Sequence, residues 1–410
     1  MTFRLMQAAL ALVLAGCGSS PSASADAPSS DRPFAVGEIA TFNSPWAMAF
    51  LPGSRQAIVT EKPGRIWLVD TANGRKQQVA GAPRVVASEQ GGLLDVALSP
   101  RFGSDRLVYL TYAEPSANGG SGLAMSRGRL VRDARGARIE GMQLLWHDPA
   151  GGEGGQFGAI IAFAPDGRSL FLSSGERQRF TPAQDPGQPL GKILHLTLDG
   201  KPAPGNPMAG RTGASVVTIT DPPRDTEVAK TAPGRQVRWP GPNLTPSETW
   251  SSGHRNPYGL AFDAEGRLWS EEMGPRGGDE LNLILPGRNY GWPLVSEGKN
   301  YDGVPIPPPS SRPDLEPPKL FWNPVISPST LLIYDGRLFP RWKGSGFIGA
   351  LSGKALVRVT FSGMIAQKAD RWDLGHRIRW VGEGPDGAIY LLEDGDGARL
   401  LRLTPAQTRR

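Results

Sequence analysis

Apolar and polar residues alternate along this chain in short runs, and the runs come in sets. Pro45-Trp-Ala-Met-Ala-Phe-Leu-Pro-Gly53 is followed by Ala57-Ile-Val-Thr60 and Gly64-Arg-Ile-Trp-Leu-Val69. Leu93-Leu-Asp-Val-Ala-Leu-Ser-Pro100 precedes Leu107-Val-Tyr-Leu-Thr-Tyr112, and Ile160-Ile-Ala-Phe-Ala-Pro-Asp-Gly167 precedes Leu170-Phe-Leu172. The same phrase returns at Tyr258–Gly266 with Leu268-Trp269, at Phe347–Leu351 with Ala355–Phe361, and at Arg379–Gly387 with Ile389–Leu392 and Leu400–Leu403. Period-two alternation with turn residues at fixed offsets predicts antiparallel hairpins. Recurrence at roughly forty to eighty residues predicts a repeat architecture. Long apolar segments of 3.6 period are lacking. An all-β propeller of about six blades satisfies the pattern, because radial repetition leaves only short, protected edges. Lys201–Trp250 and the proline-rich Tyr301–Pro318 interrupt it and read as long loops between strands, of a kind that is functional or disordered.

Composition changes this picture little. Gly and Pro number 53 and 39, and apolar residues reach 39%, which describes a turn-rich folded chain. The net charge of +6 is spread out, with no Lys/Arg tract interleaved with aromatics, so nucleic acid is a poor partner. A basic cleft for a small anion fits as well. The single cysteine, Cys17, follows Leu14-Ala-Gly16 after an apolar Ala8–Leu14 and a positive charge at Arg4, the layout of a secretory signal. The Leu-Ala-Gly-Cys ending resembles a bacterial lipobox, in which the cysteine is lipidated. The expected division is a lipoprotein-type signal over 1–17, a flexible tether over 18–36 and the propeller over 37–405. The product would sit on the periplasmic side of a bacterial envelope, held by a lipid anchor at Cys17 and by no other membrane contact, or be secreted.

Candidate chemistry is densest in Ser252-Gly-His-Arg-Asn-Pro-Tyr258, Gly274-Pro-Arg-Gly-Gly-Asp-Glu280 and Asn289-Tyr-Gly-Trp-Pro293. Arginine forks suit planar, multiply anionic partners. Glycines let backbone groups approach a ligand or ion closely. Asp279 and Glu280 offer the hard oxygens that calcium prefers.

These pieces, with Gln90-Gly-Gly-Leu-Leu-Asp-Val-Ala-Leu98, Leu190-Gly-Lys-Ile-Leu194 and Arg377-Ile-Arg379, resemble the soluble pyrroloquinoline-quinone (PQQ) dependent sugar dehydrogenases of the glucose/sorbosone or aldose dehydrogenase family. They run in the family's order from about residue 37 to 405. The resemblance implies a six-bladed propeller with PQQ at the channel mouth and calcium beside the quinone. It implies that Gln90, Arg255, Asn256, Tyr301, Arg377 and Arg379 line the cofactor and that the carbonyls of Gly274 and Pro275 hold the calcium. Glu280 and Tyr290 would belong to a second, structural calcium site. The implied reaction is oxidation of the anomeric carbon of an aldose to a lactone, with electrons passed to a downstream acceptor.

One departure bears on the chemistry. The family's general base is a histidine in a segment of the form His-Phe-Gly-Gly-Arg, and this chain reads Gln156-Phe-Gly-Ala-Ile160. Glutamine has no proton-accepting nitrogen near neutral pH. Met273 and Trp380 also differ from the family's usual residues. Glu153, on the loop Gly151-Gly-Glu-Gly-Gly155, is a candidate substitute base. The rival readings are a propeller that binds a ligand or an envelope partner without turnover, and a calcium-dependent lactone hydrolase, since fold alone does not decide function. His254 is expected to order its loop, and His147, His195 and His376 to be structural.

Overall fold

The hairpins form where the alternation and the Asp-Gly turns place them. In the computed structural model, which describes residues 32–117, 119–220 and 234–406, the aspartate of each such turn closes it. Asp166 Oδ1 accepts the N–H of Arg168 at 2.9 Å, Asp263 Oδ1 that of Arg267 at 2.9 Å, and Asp386 Oδ1 that of Ala388 at 3.2 Å. This side-chain mimicry of a backbone turn is why aspartate recurs there.

The strands assemble into antiparallel meanders. Among the described residues, four sheets have four strands each, one has eight and one has two. The eight-stranded sheet consists of the meanders Pro45–Ala80 and Leu93–His147, joined edge to edge where Lys76–Ala80 runs parallel to Gly136–His147. The four-stranded sheets start at Gly158–Phe163, Pro257–Phe262, Pro328–Ile333 and Ile378–Glu383. In the last of these, Phe34–Phe42 from the start of the chain pairs with Ala398–Pro405 from its end.

The first strands of the six meanders pack in a cycle: Pro45–Phe50 on Leu93–Leu98, then Gly158–Phe163, Pro257–Phe262, Pro328–Ile333, Ile378–Glu383 and back to Pro45–Phe50. Every one of these six strands carries a register shift near its beginning, for example between Gly158 and Ile161 and between Pro257 and Gly259. A bulge bends a strand and re-aims its side chains, here at the end of the cycle where the candidate residues lie. Between neighbouring sheets the inward faces interlock, as with Trp269, Leu283, Ile348 and Val357. Alternating strands present such faces by construction.

Two expectations change. The strand begins at Phe34, so the ordered fold starts inside the segment assigned to the tether; Phe34 is buried against Trp342 and Trp372. Lys201–Trp250 is not loop throughout. Val216–Thr220 pairs with Gly234–Arg238, and its alternate residues Val217 and Ile219 are buried with Val237 and Trp239. Cys17 and the rest of the signal and tether up to residue 31 lie outside the described residues. Among the described residues no helix is long and apolar enough to cross a membrane.

Candidate active site

A cavity of about 530 Å³ opens where the first strands begin. Gln90, Gln156, Arg255, Asn256, Gly274, Pro275 and Tyr301 all line it. Residues from distant parts of the sequence thus meet at one opening. Met273, Asp279, Arg276 and Lys299 line it too.

Hydrogen bonds fix the floor. Gln90 Oε1 accepts the N–H of Gln156 at 2.8 Å and the hydroxyl of Tyr258 at 3.1 Å. Asn256 Oδ1 accepts the N–H of Gly158 at 3.2 Å. Gly155 packs against Gln90 so closely that a Cβ would lie 2.7 Å from its Cδ, and a Cβ on Gly175 would lie 2.1 Å from the carbonyl oxygen of Gln156. Gln156 itself is buried and has a φ of 57°, a left-handed conformation uncommon outside glycine.

The loop carrying Gln156 is held by arginines. Arg177 is 1% exposed, stacks on Phe157 at 3.8 Å, and donates to the carbonyls of Ser121, Gly152, Gly154 and Gly155. Burial, with Arg179 beside it, pulls its pKa down to about 9. Arg179 donates to the carbonyls of Gly151 and Glu153, and Arg235 to those of Ala150 and Gly151. Nothing in the sequence marked these arginines; each resembles an ordinary loop charge until the carbonyls converge on it.

Arg255 is buried at the back of the cavity. Its Nη1 donates to the carbonyls of Met273 at 3.1 Å and Gly274 at 2.7 Å, and its guanidinium lies over the rings of Trp292 and Tyr301. The Gly274 carbonyl therefore already carries a cationic partner. His254 orders this loop, as expected. It is fully buried, stacked on Tyr290, and bonded through Nδ1 to Glu272 Oε1 at 3.0 Å and through Nε2 to Ser251 at 2.9 Å.

Two carboxyls of strand Leu268–Glu272 are buried. Glu272 takes His254, the N–H of Arg255 and the amide of Asn282. Glu271 is buried against Gly259. Burial, then Asp279 and Glu272, hold its carboxyl well above the usual range. Asp279 receives the N–H groups of Gly274, Ile326 and Ser327. Burial outweighs these and lifts its pKa to about 6.

Two residues expected to line the cofactor stand elsewhere. Arg377 and Arg379 do not line the cavity. Their Nε atoms bind the two oxygens of Asp394 at 2.8 and 2.9 Å. Burial alone would raise that carboxyl, but the arginines keep it low. Arg379 still reaches the site indirectly, lying 6.0 Å from the ring centre of Tyr258, whose hydroxyl holds Gln90. Glu280 and Tyr290, expected at a second site, line a small space of about 10 Å³ with Glu272; Arg255, Met273, Gly274 and Pro275 border both this space and the cavity. Asn282 Nδ2 donates to both Glu272 and Glu280, at 3.0 and 3.1 Å. Burial, then the Glu272 charge, drives the Glu280 carboxyl well up. Glu153, the candidate substitute base, is exposed and is not among the residues lining the cavity. Among the described residues no group of three or more His, Cys, Asp or Glu side chains could hold a metal.

A closed cycle of antiparallel meanders with a basic, glycine-lined cavity at its mouth defines the class. The chain belongs to the Glucose / Sorbosone dehydrogenase family, matched over residues 42–239 and 223–402. It is 33% identical to the aldose sugar dehydrogenase YliI of Escherichia coli (strain K12), over 88% of this chain and 90% of that protein. A solved glucose dehydrogenase structure is 38% identical with a TM-score of 0.77, covering 90% of this chain and 99% of that one. The PQQ-bound aldose sugar dehydrogenase from Streptomyces coelicolor is 28% identical with a TM-score of 0.67, over 92% and 99%.

Proposed function

We propose that the chain is a six-bladed propeller that binds PQQ and calcium and oxidises the anomeric carbon of an aldose to its lactone, passing electrons to a downstream acceptor. Its setting would be the periplasmic side of a bacterial envelope, anchored through Cys17. The observation that carries this reading is the convergence of Gln90, Arg255, Asn256, Gly274, Pro275 and Tyr301 on one cavity. The group fits the residues present. The cavity volume lies within the range of ligand pockets, roughly 300–1,000 Å³, and the buried Arg255 opposes the charge of a flat tricarboxylate. Gly274 and Pro275 would offer carbonyl oxygens to calcium, with Arg255 giving up its bond to Gly274. Glu272 and Glu280 border space for about one ion, and carboxylate oxygens suit calcium; the Tyr290 hydroxyl is already engaged by the Leu283 carbonyl and the Leu285 N–H, which leaves Tyr290 as wall.

When bound, the quinone supplies the two-electron acceptor, and the divalent ion the Lewis acid that activates it. The chain supplies position. Arg255 and Asn256 would hold the cofactor, and Gln90 ties the cavity floor to the loop of Gln156. The Gln156 carboxamide can orient a sugar hydroxyl but not keep its proton. The proton then passes to water, at the loss of the factor of about 10² to 10⁴ that a positioned base contributes. That same substitution supports a second reading, a weak or inactive relative that binds its ligand as an envelope interaction protein.

The test is titration of the protein with PQQ in the presence of CaCl₂, followed by dye reduction with a panel of aldoses. Absence of PQQ binding ends the first reading. Tight binding without turnover selects the second.

A further inference from the structure

Arg276 and Lys299 face each other across an antiparallel bridge at the mouth of the cavity. Their backbones exchange both hydrogen bonds, Arg276 N–H to Lys299 O at 3.0 Å and Lys299 N–H to Arg276 O at 3.1 Å. Residues paired in this way send their side chains to the same face. Both are exposed, and among the described residues neither side chain makes an ion pair or hydrogen bond. Like charges set directly opposite destabilise a strand pair, and a carboxylate between them ordinarily relieves this. Here the carboxylate in the cavity wall, Asp279, is turned to the backbone N–H groups of Gly274, Ile326 and Ser327. Glu297 and Asp302, the acidic residues flanking Lys299, pair with neither cation. A second bridge, Lys299 to Pro305, and the bond from Asn300 N–H to Val304 O at 3.0 Å fix the lysine's backbone. The result is a fixed pair of cations, open to the cavity and lacking an anion.

Depth separates this pair from the cofactor's cation. Arg255 is buried at the back of the cavity, whereas Arg276 and Lys299 stand at the exposed rim beside Tyr301. We propose that the pair receives a carboxylate or phosphate carried by the sugar, so that the preferred substrates are uronic acids or sugar phosphates rather than neutral aldoses. This rests on reading the cavity as an aldose site.

Calorimetry of the PQQ- and calcium-loaded protein with glucuronate, glucose 6-phosphate and glucose tests it, alongside PQQ titration of each variant. At least one anionic sugar is expected to bind about tenfold or more tighter than glucose, with the advantage shrinking as salt rises. Which of the two does so names the anionic group. In Arg276→Gln/Lys299→Gln the anionic-to-neutral affinity ratio is expected to fall to within about twofold of unity, and Lys299→Gln alone to fall between. Equal affinity for charged and neutral sugars in the wild type overturns the proposal. So does a double variant whose PQQ affinity falls by as much as its glucuronate affinity, since the pair would then serve the cofactor. If the wild type binds no PQQ, the proposed function fails, and glucuronate binding to the same protein, with and without the two substitutions, still decides the cation pair.

Discussion

Restoring a base at position 156 is the sharpest perturbation of the site. Gln156→His is close to volume-conserving, a class of change that costs less than about 1.5 kcal/mol. Histidine also tolerates the left-handed backbone found there better than most residues. Its N–H bond to Gln90 is a main-chain bond and survives. Burial at this position and the Arg255 guanidinium in the same cavity both disfavour an imidazolium, so the new histidine titrates below its ordinary value and is neutral at pH 7. A neutral, positioned imidazole contributes about 10² to 10⁴ in rate, or about 3–5 kcal/mol of barrier. Dye-linked aldose oxidation with PQQ and calcium should rise by that factor in kcat/KM. The variant's pH profile should gain an acid limb below about pH 6.5, where the imidazole protonates and activity falls. A gain under about tenfold, with unchanged PQQ affinity, would refute the idea that the missing base limits this site.

Other substitutions probe the scaffold. Arg177→Met strips the charged donor from four buried carbonyls and should lower stability by about 3 kcal/mol, with weaker PQQ binding, read by thermal melts and titration. Asp95 is buried between the N–H groups of Val96 and Ile161, and burial raises its pKa from 3.8 to about 6. Its folded form holds a proton that the unfolded form releases, so the stability it contributes is complete below about pH 4 and lost as pH rises through about 6. The loss amounts to about 3 kcal/mol, and Asp95→Asn should flatten that part of the stability profile. Calcium at 100 times its dissociation constant should stabilise the protein by about 2.7 kcal/mol, and Glu280→Gln should abolish most of that shift in melting temperature.

The hairpins were legible because proline, aspartate and glycine punctuate the alternation at fixed offsets. The core of the site was legible in Gly253–Pro257 and Gly274–Glu280, where unusual residue types cluster. Only the family resemblance places Arg377 and Arg379 at the cofactor; their alternation on one strand says no more than that they share a face. Asp394, across the following hairpin, holds both, and no local pattern pairs them. The Arg177 cage depends on carbonyls up to 56 residues away, a relation that exists only after folding. Lys299 sits in a run, Ser296-Glu-Gly-Lys-Asn300, whose composition says only turn. Its proximity to Arg276 comes from a single isolated bridge.

The six register shifts at the strand beginnings have a consequence for how such a mouth can be altered. A residue just ahead of a bulge is released from the strict two-residue clock of the ladder behind it. Its exchange therefore retunes one arc of the opening without shifting the hydrogen-bond frame of its sheet or the five others. Gln156 stands at one such threshold, two residues ahead of Gly158. Each threshold works as a separate socket, so chemistry can be swapped at one while the bed that seats the shared cargo stays in place.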